Sequence, residues 1–288
     1  MFLGIGLLVL LGAIFGGFAA EGGNFEVIMH AAPFELLMIF GGATGALIIS
    51  QDLPTLKAIG GGLGKAASGA KWKKQDYSDL LTLLFHLTKL MKTKGVVALE
   101  AHIEKPEESA FFQKYPRITK DHFATDFICD TLRMMTMNLD DPHQVENAME
   151  SLLEKHHHEA LKPAQALQTM ADGLPALGIV AAVLGIVKTM GAINEPPEVL
   201  GLMIGGALVG TFLGVLLAYG MVGPIAGRMM GAIEEEGQFY KIIKDVLVGH
   251  LHGNAAQVSV ELGRGAVPSS LQPTFLQLEE AIAASAES

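Results

Sequence analysis

The chain has 288 residues, half of them hydrophobic, with a formal net charge of -10 and a mean hydropathy of +0.38. A negative charge of this size argues against a general nucleic-acid-binding surface, which needs basic patches. The only cysteine is Cys129, so an internal disulfide is excluded. The mean hydropathy averages very apolar stretches with ordinary soluble sequence, and the local pattern therefore has to decide the class of protein.

Four stretches are apolar enough to cross a bilayer, which takes about 20 residues. The first could instead be a signal peptide, but no basic residues precede its apolar run and no obvious cleavage site follows it. The second is the shortest, and it extends upstream through Pro33 and Glu35. The four predicted membrane-spanning helices are residues 1–20, 36–50, 173–193 and 199–223.

The distribution of Lys and Arg predicts how these spans are oriented. Of the 20 basic residues, 15 lie in residues 51–170, whereas the connections 21–31 and 194–198 contain none. We therefore expect both termini and the 51–170 segment to be cytoplasmic. The predicted division is 1–50 with two spans and a short periplasmic loop, 51–170 as a cytoplasmic helical domain, 171–225 with the last two spans, and 226–288 as a cytoplasmic helical tail.

The segment between the second and third spans is predicted to be helical. After a Gly-rich link at residues 60–71, Ser78 suits a helix N-cap and Gly95 a helix end. Residues 144–170 predict a long helix that is interrupted near Pro163. No strand-like alternation of useful length is present. The predicted fold class is all-α: a polytopic membrane protein with four transmembrane helices and a helical cytoplasmic domain.

Two clusters outside the membrane are candidate sites. Three consecutive histidines occupy residues 156–158. Because consecutive helical residues point about 100° apart, their rings do not converge on one metal ion, and a solvated helix face is favoured. Lys71, Lys73 and Lys74 flank Trp72, where anchoring at the membrane interface is favoured. No Walker sequence, zinc-protease motif or nucleophile elbow occurs. The sequence therefore predicts neither an enzyme nor a metal site.

One face of the fourth span carries small residues. Gly206, Gly210 and Gly214 repeat every four residues, and together with Ala207 and Thr211 they fall within an arc of roughly 140°. Small residues let helices pack closely in lipid, where no hydrophobic force drives their association. The face is predicted to pack against the third span of this chain or of its copies. The more specific alternative is that this face is a binding surface for a helix of a partner protein.

Two residues near the middle of the membrane are candidates for lining an ion pathway. Thr211 is the midpoint of residues 199–223, and Ala182 lies one residue from the middle of residues 173–193. The Thr211 hydroxyl could line a pathway, or it could bond back to the carbonyl of Ala207. The sequence leaves both interpretations open.

Ionisable residues are predicted only near the ends of the spans. Glu35 and Asp172 are expected at span ends, and Lys188 is expected near the outer end of the third span, where it can snorkel. Because a cation pathway normally uses a buried carboxylate, either this chain moves no ions or another chain supplies the acid. Pro175 and Pro224 bracket the last two spans, and each marks a bend or a helix end.

Several strings resemble the MotA-type stator subunits of the bacterial flagellar motor, which belong to the MotA/TolQ/ExbB superfamily. The resemblance extends from residue 1 to about residue 282, with the same order of spans. The strings are VGTFLGVLLAYG followed by GPIA in the fourth span, DGLPALGIVAAVLGIV in the third, GLLVLLGAIFGGF in the first, and LEAHIEKPEESAFFQKYPRI and VELGR in the cytoplasmic sequence.

The resemblance implies an ion-conducting stator of the bacterial inner membrane, in which a pentamer of this chain surrounds a dimer of a single-span MotB-type subunit. The partner's intramembrane aspartate carries the ion beside Thr211, and a FliG-type rotor protein interacts with Lys92 and Glu100. Lys92 stands where the family commonly has arginine. The positive charge is kept, but lysine lacks the planar guanidinium group that can donate two hydrogen bonds to one carboxylate. Pro175 and Pro224 match the family's two prolines that couple conformational change to rotation.

Ala182 predicts which ion is transported. Sodium-driven relatives carry a threonine at the matching position, and a dehydrated Na⁺ needs several oxygen ligands that the methyl group of Ala182 does not offer. We therefore expect proton drive and no cofactor, with a sodium-driven stator as the alternative.

Three other classes of membrane protein compete with the stator. An ExbB/TolQ-type proton-channel subunit that energises envelope processes is the nearest, but such subunits have three spans and an N-terminus that faces out. A solute transporter or channel acting alone would be expected to show inverted repeats or its own buried polar site. A membrane scaffold is the third alternative.

Overall fold

The computed structural model describes residues 2–95, 97–137 and 141–286, and these residues form helices, turns and short connections without a β-strand. The all-α prediction is therefore confirmed. The α-helices are α1 (Phe2–Ala20), α2 (Phe25–Ser50), α3 (Leu53–Ser68), α4 (Lys74–Lys94), α5 (Val97–Ile103), α6 (Ala110–Gln113), α7 (Pro116–Thr119), α8 (His122–Thr136), α9 (Pro142–Gly191), α10 (Pro197–Val215), α11 (Gly223–Leu251), α12 (Ala256–Ala266) and α13 (Phe275–Ala286). A 3₁₀ turn covers Pro106–Glu108, and a π-helical segment covers Leu216–Val222.

The chain divides into two compact units, each built from two stretches of sequence. We call them the membrane unit, which comprises Met1–Gly69 and Ala160–Ala232, and the cytoplasmic unit, which comprises Ala70–Glu159 and Ile233–Ser288. The division of the chain into four segments rests on membrane topology predicted from the sequence, and that division stays a prediction.

Among the described residues four helices are long and apolar enough to span a membrane, as predicted. They are Leu3–Ala20, Phe25–Ser50, Pro142–Gly191 and the stretch Pro197–Leu251 that includes α10 and α11. In water-free hydrocarbon each backbone N–H and C=O must be paired within the protein, and a helix does this inside one segment. The length and composition of the apolar stretches therefore predicted the number of these helices, but not every boundary.

The second span begins earlier than predicted. The side-chain oxygen of Asn24 caps α2 by accepting a hydrogen bond from the backbone N–H of Glu26 at 2.9 Å. The helix then continues for 26 residues without a break at Pro33. The prediction that Glu35 lies at the end of a span was therefore wrong, because this residue lies well inside the helix.

The Gly-rich stretch predicted as a link is helical. Asp52 caps α3, since its carboxylate accepts a hydrogen bond from the Thr55 N–H at 3.0 Å. Gly62 lies against the side chain of Met229, where any added Cβ would overlap it. One turn further along α3, the carbonyl of Ala66 accepts a hydrogen bond from Nε of Arg228 at 2.6 Å, next to the Met229 contact. The glycines here permit close helix packing and do not form a flexible connection.

The cytoplasmic unit is organised around an aromatic core. Trp72 stacks on Phe239 with ring centroids 3.8 Å apart and planes 10° apart, and Tyr77 meets Phe239 edge-on at 5.3 Å. Trp72 is only 3% exposed. The prediction that Trp72 anchors the chain at the membrane interface was therefore wrong, because tertiary packing covers the ring that the sequence placed beside a span.

Two helix boundaries in the cytoplasmic unit depend on local hydrogen bonding. The backbone N–H of Lys73 donates to the carboxylate of Asp76 at 2.7 Å and starts α4 there, so the predicted cap Ser78 lies buried within the helix instead. The predicted end is confirmed: Gly95 follows α4 with φ of 82°, a conformation that favours glycine.

The single cysteine, Cys129, lies on α8 in the cytoplasmic unit, and burial raises the pKa of its thiol to about 12.

Candidate ion-pathway helices

Helices α9 and α10 pack antiparallel with their backbones almost in contact. A Cβ on Gly178 would lie 2.8 Å from the carbonyl oxygen of Gly210, and a Cβ on Gly214 would lie 2.9 Å from Cα of Gly178. A Cβ on Gly185 would lie 2.6 Å from Cβ of Ala207. These distances leave no room for a larger side chain. The small residues of the two spans therefore pack α9 against α10 within one chain.

Helix α2 covers the other side of the same glycine row. The paired positions run in the same direction along both helices: Gly205 meets Val27, Gly206 meets Ala31, and Gly210 lies against the carboxyl group of Glu35. The three glycines predicted for helix packing thus have different neighbours. Gly206 contacts α2, Gly214 contacts α9, and Gly210 lies against Glu35 and Ala181 at once.

Thr211 and Ala182 each follow a residue of the α9–α10 contact, Gly210 and Ala181 respectively, and a Cβ on Gly210 would lie 3.3 Å from Cβ of Ala181. Thr211 and Ala182 are both partly exposed. The described residues provide no hydrogen bond for the Thr211 hydroxyl, whereas the hydroxyl of Thr189 on α9 donates back to the carbonyl of Gly185 at 2.9 Å. This arrangement favours the interpretation in which the Thr211 hydroxyl is available to another molecule.

Glu35 is a polar residue whose burial the sequence interpretation missed. It is only 6% exposed, and its Oε2 atom is enclosed without a hydrogen-bond partner among the described residues. Glu35, Ile39 and Ala43 are the buried residues of α2, and they repeat every four residues. This spacing places the three residues on one buried face of α2, and the burial of Glu35 was missed because the predicted span began after this residue.

A cavity of about 570 Å³ lies between α2, α9 and α10, and Glu35 is part of its wall. The other polar wall residues are Glu26, His30, Lys188 and Thr189. Glu26, His30 and Lys188 are exposed, and the Glu26 carboxylate lies 4.0 Å from the His30 ring. The cavity therefore joins an exposed charged rim to a buried carboxyl group.

The two prolines predicted to couple conformational change lie in different helical environments. Helix α9 continues unbroken through Pro163 and Pro175, so the predicted interruption near Pro163 is absent. Pro224 is the second residue after the π-helical segment, and the N–H of the intervening Gly223 donates to the carbonyl of Ala218. A proline ring collides with the carbonyl four residues earlier, and a wider turn before Pro224 relieves that collision. The coupling role of both prolines stays a prediction.

Lys92 and Glu100 lie close to the Gly95 turn, in the last turn of α4 and in α5. Both side chains are exposed, and no ion pair involves either of them within the described ranges. The neighbouring charge Arg133 is different, because it pairs with Glu104 at 2.8 Å and with Asp130 at 2.5 Å. The two residues predicted to interact with the rotor are thus presented to solvent, and this role stays a prediction.

The chain matches two family models that share its order of segments. Residues 4–95 match the motility protein A N-terminal model, and residues 119–241 match the MotA/TolQ/ExbB proton channel family. Motility protein A of Escherichia coli K12 is 38% identical over 284 residues, which cover 99% of this chain and 96% of that protein. Chemotaxis protein LafT of Vibrio parahaemolyticus is 33% identical over 279 residues, which cover 97% of each chain.

Solved structures show the same fold. The structure of C. jejuni MotAB contains a chain that superimposes with a TM-score of 0.72 at 17% identity, covering 92% of this chain and 94% of that one. The flagellar MotAB stator complex from Bacillus subtilis gives a TM-score of 0.69 at 20% identity, covering 89% and 92%. The family models cover residues 4–95 and 119–241, and the relatives cover nearly the whole chain: it belongs to the motility protein A family, within the MotA/TolQ/ExbB proton channel family, and its function is that of a membrane channel subunit and not of an enzyme.

Proposed function

We propose that this chain is the A subunit of a proton-driven stator that assembles with a single-span MotB-type subunit and turns proton flow into torque. The observation that carries the proposal is Thr211, a partly exposed residue beside the close contact of α9 and α10 whose hydroxyl has no hydrogen-bond partner among the described residues. The partner supplies the aspartate that carries the proton past this hydroxyl. A pentamer of the chain surrounds the partner dimer in the bacterial inner membrane, with both termini in the cytoplasm.

The energy available per step fits a small rearrangement. One elementary charge that falls through 100 mV releases about 2.3 kcal/mol, which is the order of one or two hydrogen bonds. Neutralising the partner's aspartate changes its contact with the Thr211 face, and the ring of A subunits then moves relative to the partner dimer. Pro175 and Pro224 transmit this change to the cytoplasmic residues that push on a FliG-type rotor protein.

Replacing Thr211 with valine tests the hydroxyl at nearly constant shape. We expect Thr211→Val to leave assembly with the partner intact and to slow or stop torque, because the variant removes only the hydroxyl. Thr211→Ser is the matched control, which keeps the hydroxyl and should retain most of the torque. Tethered-cell rotation and co-purification with the partner measure the two properties. Normal rotation in the valine variant would contradict a role for this hydroxyl.

The identity of the ion is tested by swimming speed. With Ala182 as the matching residue, we expect speed to follow the proton gradient and to stay unchanged when external sodium is replaced by potassium. The control is a collapse of the proton gradient at constant sodium, which should stop the motor. A sodium-dependent speed that persists after this collapse would support the sodium-driven alternative.

The exposed charge of Glu100 is proposed to act on the rotor. We expect Glu100→Lys to reduce torque strongly while the stator still conducts protons, since the residue lies in the cytoplasmic unit and pairs with no described residue. Glu154→Lys is the matched control, because Glu154 is an exposed glutamate on α9 in the same unit. Rotation under load and proton flux in vesicles separate the two effects. Equal torque loss in both variants would show that the charge change is not specific.

A further inference from the structure

The enclosed carboxyl group of Glu35 is not accounted for by the proposed torque mechanism, in which the titrating acid belongs to the partner. Its Oε2 atom lies against the backbone of Gly210, at the depth of Thr211, and has no hydrogen-bond partner among the described residues. An ionised carboxylate without a partner is costly to enclose in apolar surroundings, whereas a neutral carboxylic acid is tolerated far better. The site therefore requires a proton to be held on Glu35.

The cavity supplies a route by which that proton can arrive and leave. Its volume of about 570 Å³ is much larger than the roughly 30 Å³ that one water molecule occupies in the liquid. On α2 the groups facing it are Glu26 and His30, and on α9 they are Lys188 and the Thr189 hydroxyl. On α10 the wall contains no titratable residue; it consists of Leu202, Met203, Gly206 and Ala207.

We propose that Glu35 is a proton-binding site of this chain, which exchanges its proton with water in the cavity between α2, α9 and α10. The exposed rim of Glu26, His30 and Lys188 admits water, and the apolar wall beyond it leads to the buried acid. This inference extends the proposed function, and it rests on that function for the position of Glu35 beside the proton route. It adds a second titrating group, contributed by each A subunit, to the acid of the partner.

Infrared difference spectroscopy of the assembled complex tests whether Glu35 holds a proton. We expect the wild-type complex to show the C=O stretch of a protonated carboxylic acid that shifts in D₂O, and we expect Glu35→Gln to lose this band. Glu198→Gln is the matched control, because Glu198 is exposed in the first turn of α10 and outside the cavity. A spectrum in which Glu35→Gln leaves all protonated-acid bands unchanged would overturn the proposal.

Access from the cavity is tested by thiol labelling in the assembled complex. Glu35→Cys should react with a membrane-impermeant thiol reagent added from the outer side, whereas Ala43→Cys on the same buried face of α2 should not, since Ala43 is 2% exposed and does not line the cavity. The native Cys129 is buried in the cytoplasmic unit and gives little background. Protection of Glu35→Cys equal to that of Ala43→Cys would overturn the exchange route. Neither readout requires conduction or torque, so failure of the proposed function would be seen separately.

Discussion

Replacing Gly214 with leucine is expected to abolish the folded membrane unit. A Cβ at this position would already lie 2.8 Å from the Leu174 carbonyl oxygen and 2.9 Å from Cα of Gly178, and both are backbone atoms that cannot rotate away. Overpacking by small groups costs about 1–3 kcal/mol when side chains can adjust, and an isobutyl group against a rigid backbone costs more. We expect the α9–α10 contact to open and assembly with the partner to be lost.

The matched control is Gly201→Leu on the same helix. Gly201 is exposed, and a Cβ there would meet no atom within 4 Å. Leucine also has a better helix propensity than glycine, so this control should fold at least as well as the wild type. Size-exclusion chromatography of the solubilised protein and motility in soft agar measure the result. A monodisperse, motile Gly214→Leu protein would show that the helices do not need this close approach.

Replacing Phe239 with alanine is expected to destabilise the cytoplasmic unit by about 3–5 kcal/mol, the usual cost of deleting a buried phenyl ring. Phe239 is fully buried and stacks on Trp72 at 3.8 Å. A loss of this size should lower Tm by about 10 °C or more. The chain has a single tryptophan, so its fluorescence reports on this unit alone.

Phe275→Ala is the control for the second prediction. Phe275 lies in the same unit but is 47% exposed, so its truncation leaves little or no cavity and should change Tm only slightly. Thermal unfolding followed by Trp72 emission compares the two variants. The folded Phe239→Ala protein should also emit at longer wavelength, because the stacked ring that shields Trp72 is gone. Similar melting curves for wild type and Phe239→Ala would exclude this stacking as a main support of the core.

The prolines and the glycines show how local sequence rules can mislead. Pro163 indicated an interrupted helix, but α9 continues through it, since one missing donor does not outweigh the bonds on either side. The Gly-rich stretch indicated a link, but α3 is helical because Gly62 accommodates Met229. For α3 a neighbouring helix contributed the stabilisation that intrinsic propensity did not predict, whereas α9 kept its own hydrogen bonds on either side of the proline.

The sequence by itself determined the class of protein and the number of spans. Long apolar segments must satisfy their own backbone hydrogen bonds in lipid, and only a helix does so within one segment. The small face of Gly206, Gly210 and Gly214 was also readable, because its spacing follows from helical geometry alone. The strings in the first, third and fourth spans and in the cytoplasmic sequence together indicated the family, which the relatives then showed.

Only the tertiary structure decided which faces of the helices are covered. Glu35 became a buried acid because α10 presents the bare backbone of Gly210 at that level, and no property of α2 specifies that neighbour. Trp72 became part of a core because Phe239, distant in sequence, stacks on it. Burial depends on contacts between segments far apart along the chain, and it is burial that determines whether a charge or an aromatic ring faces solvent, lipid or another side chain.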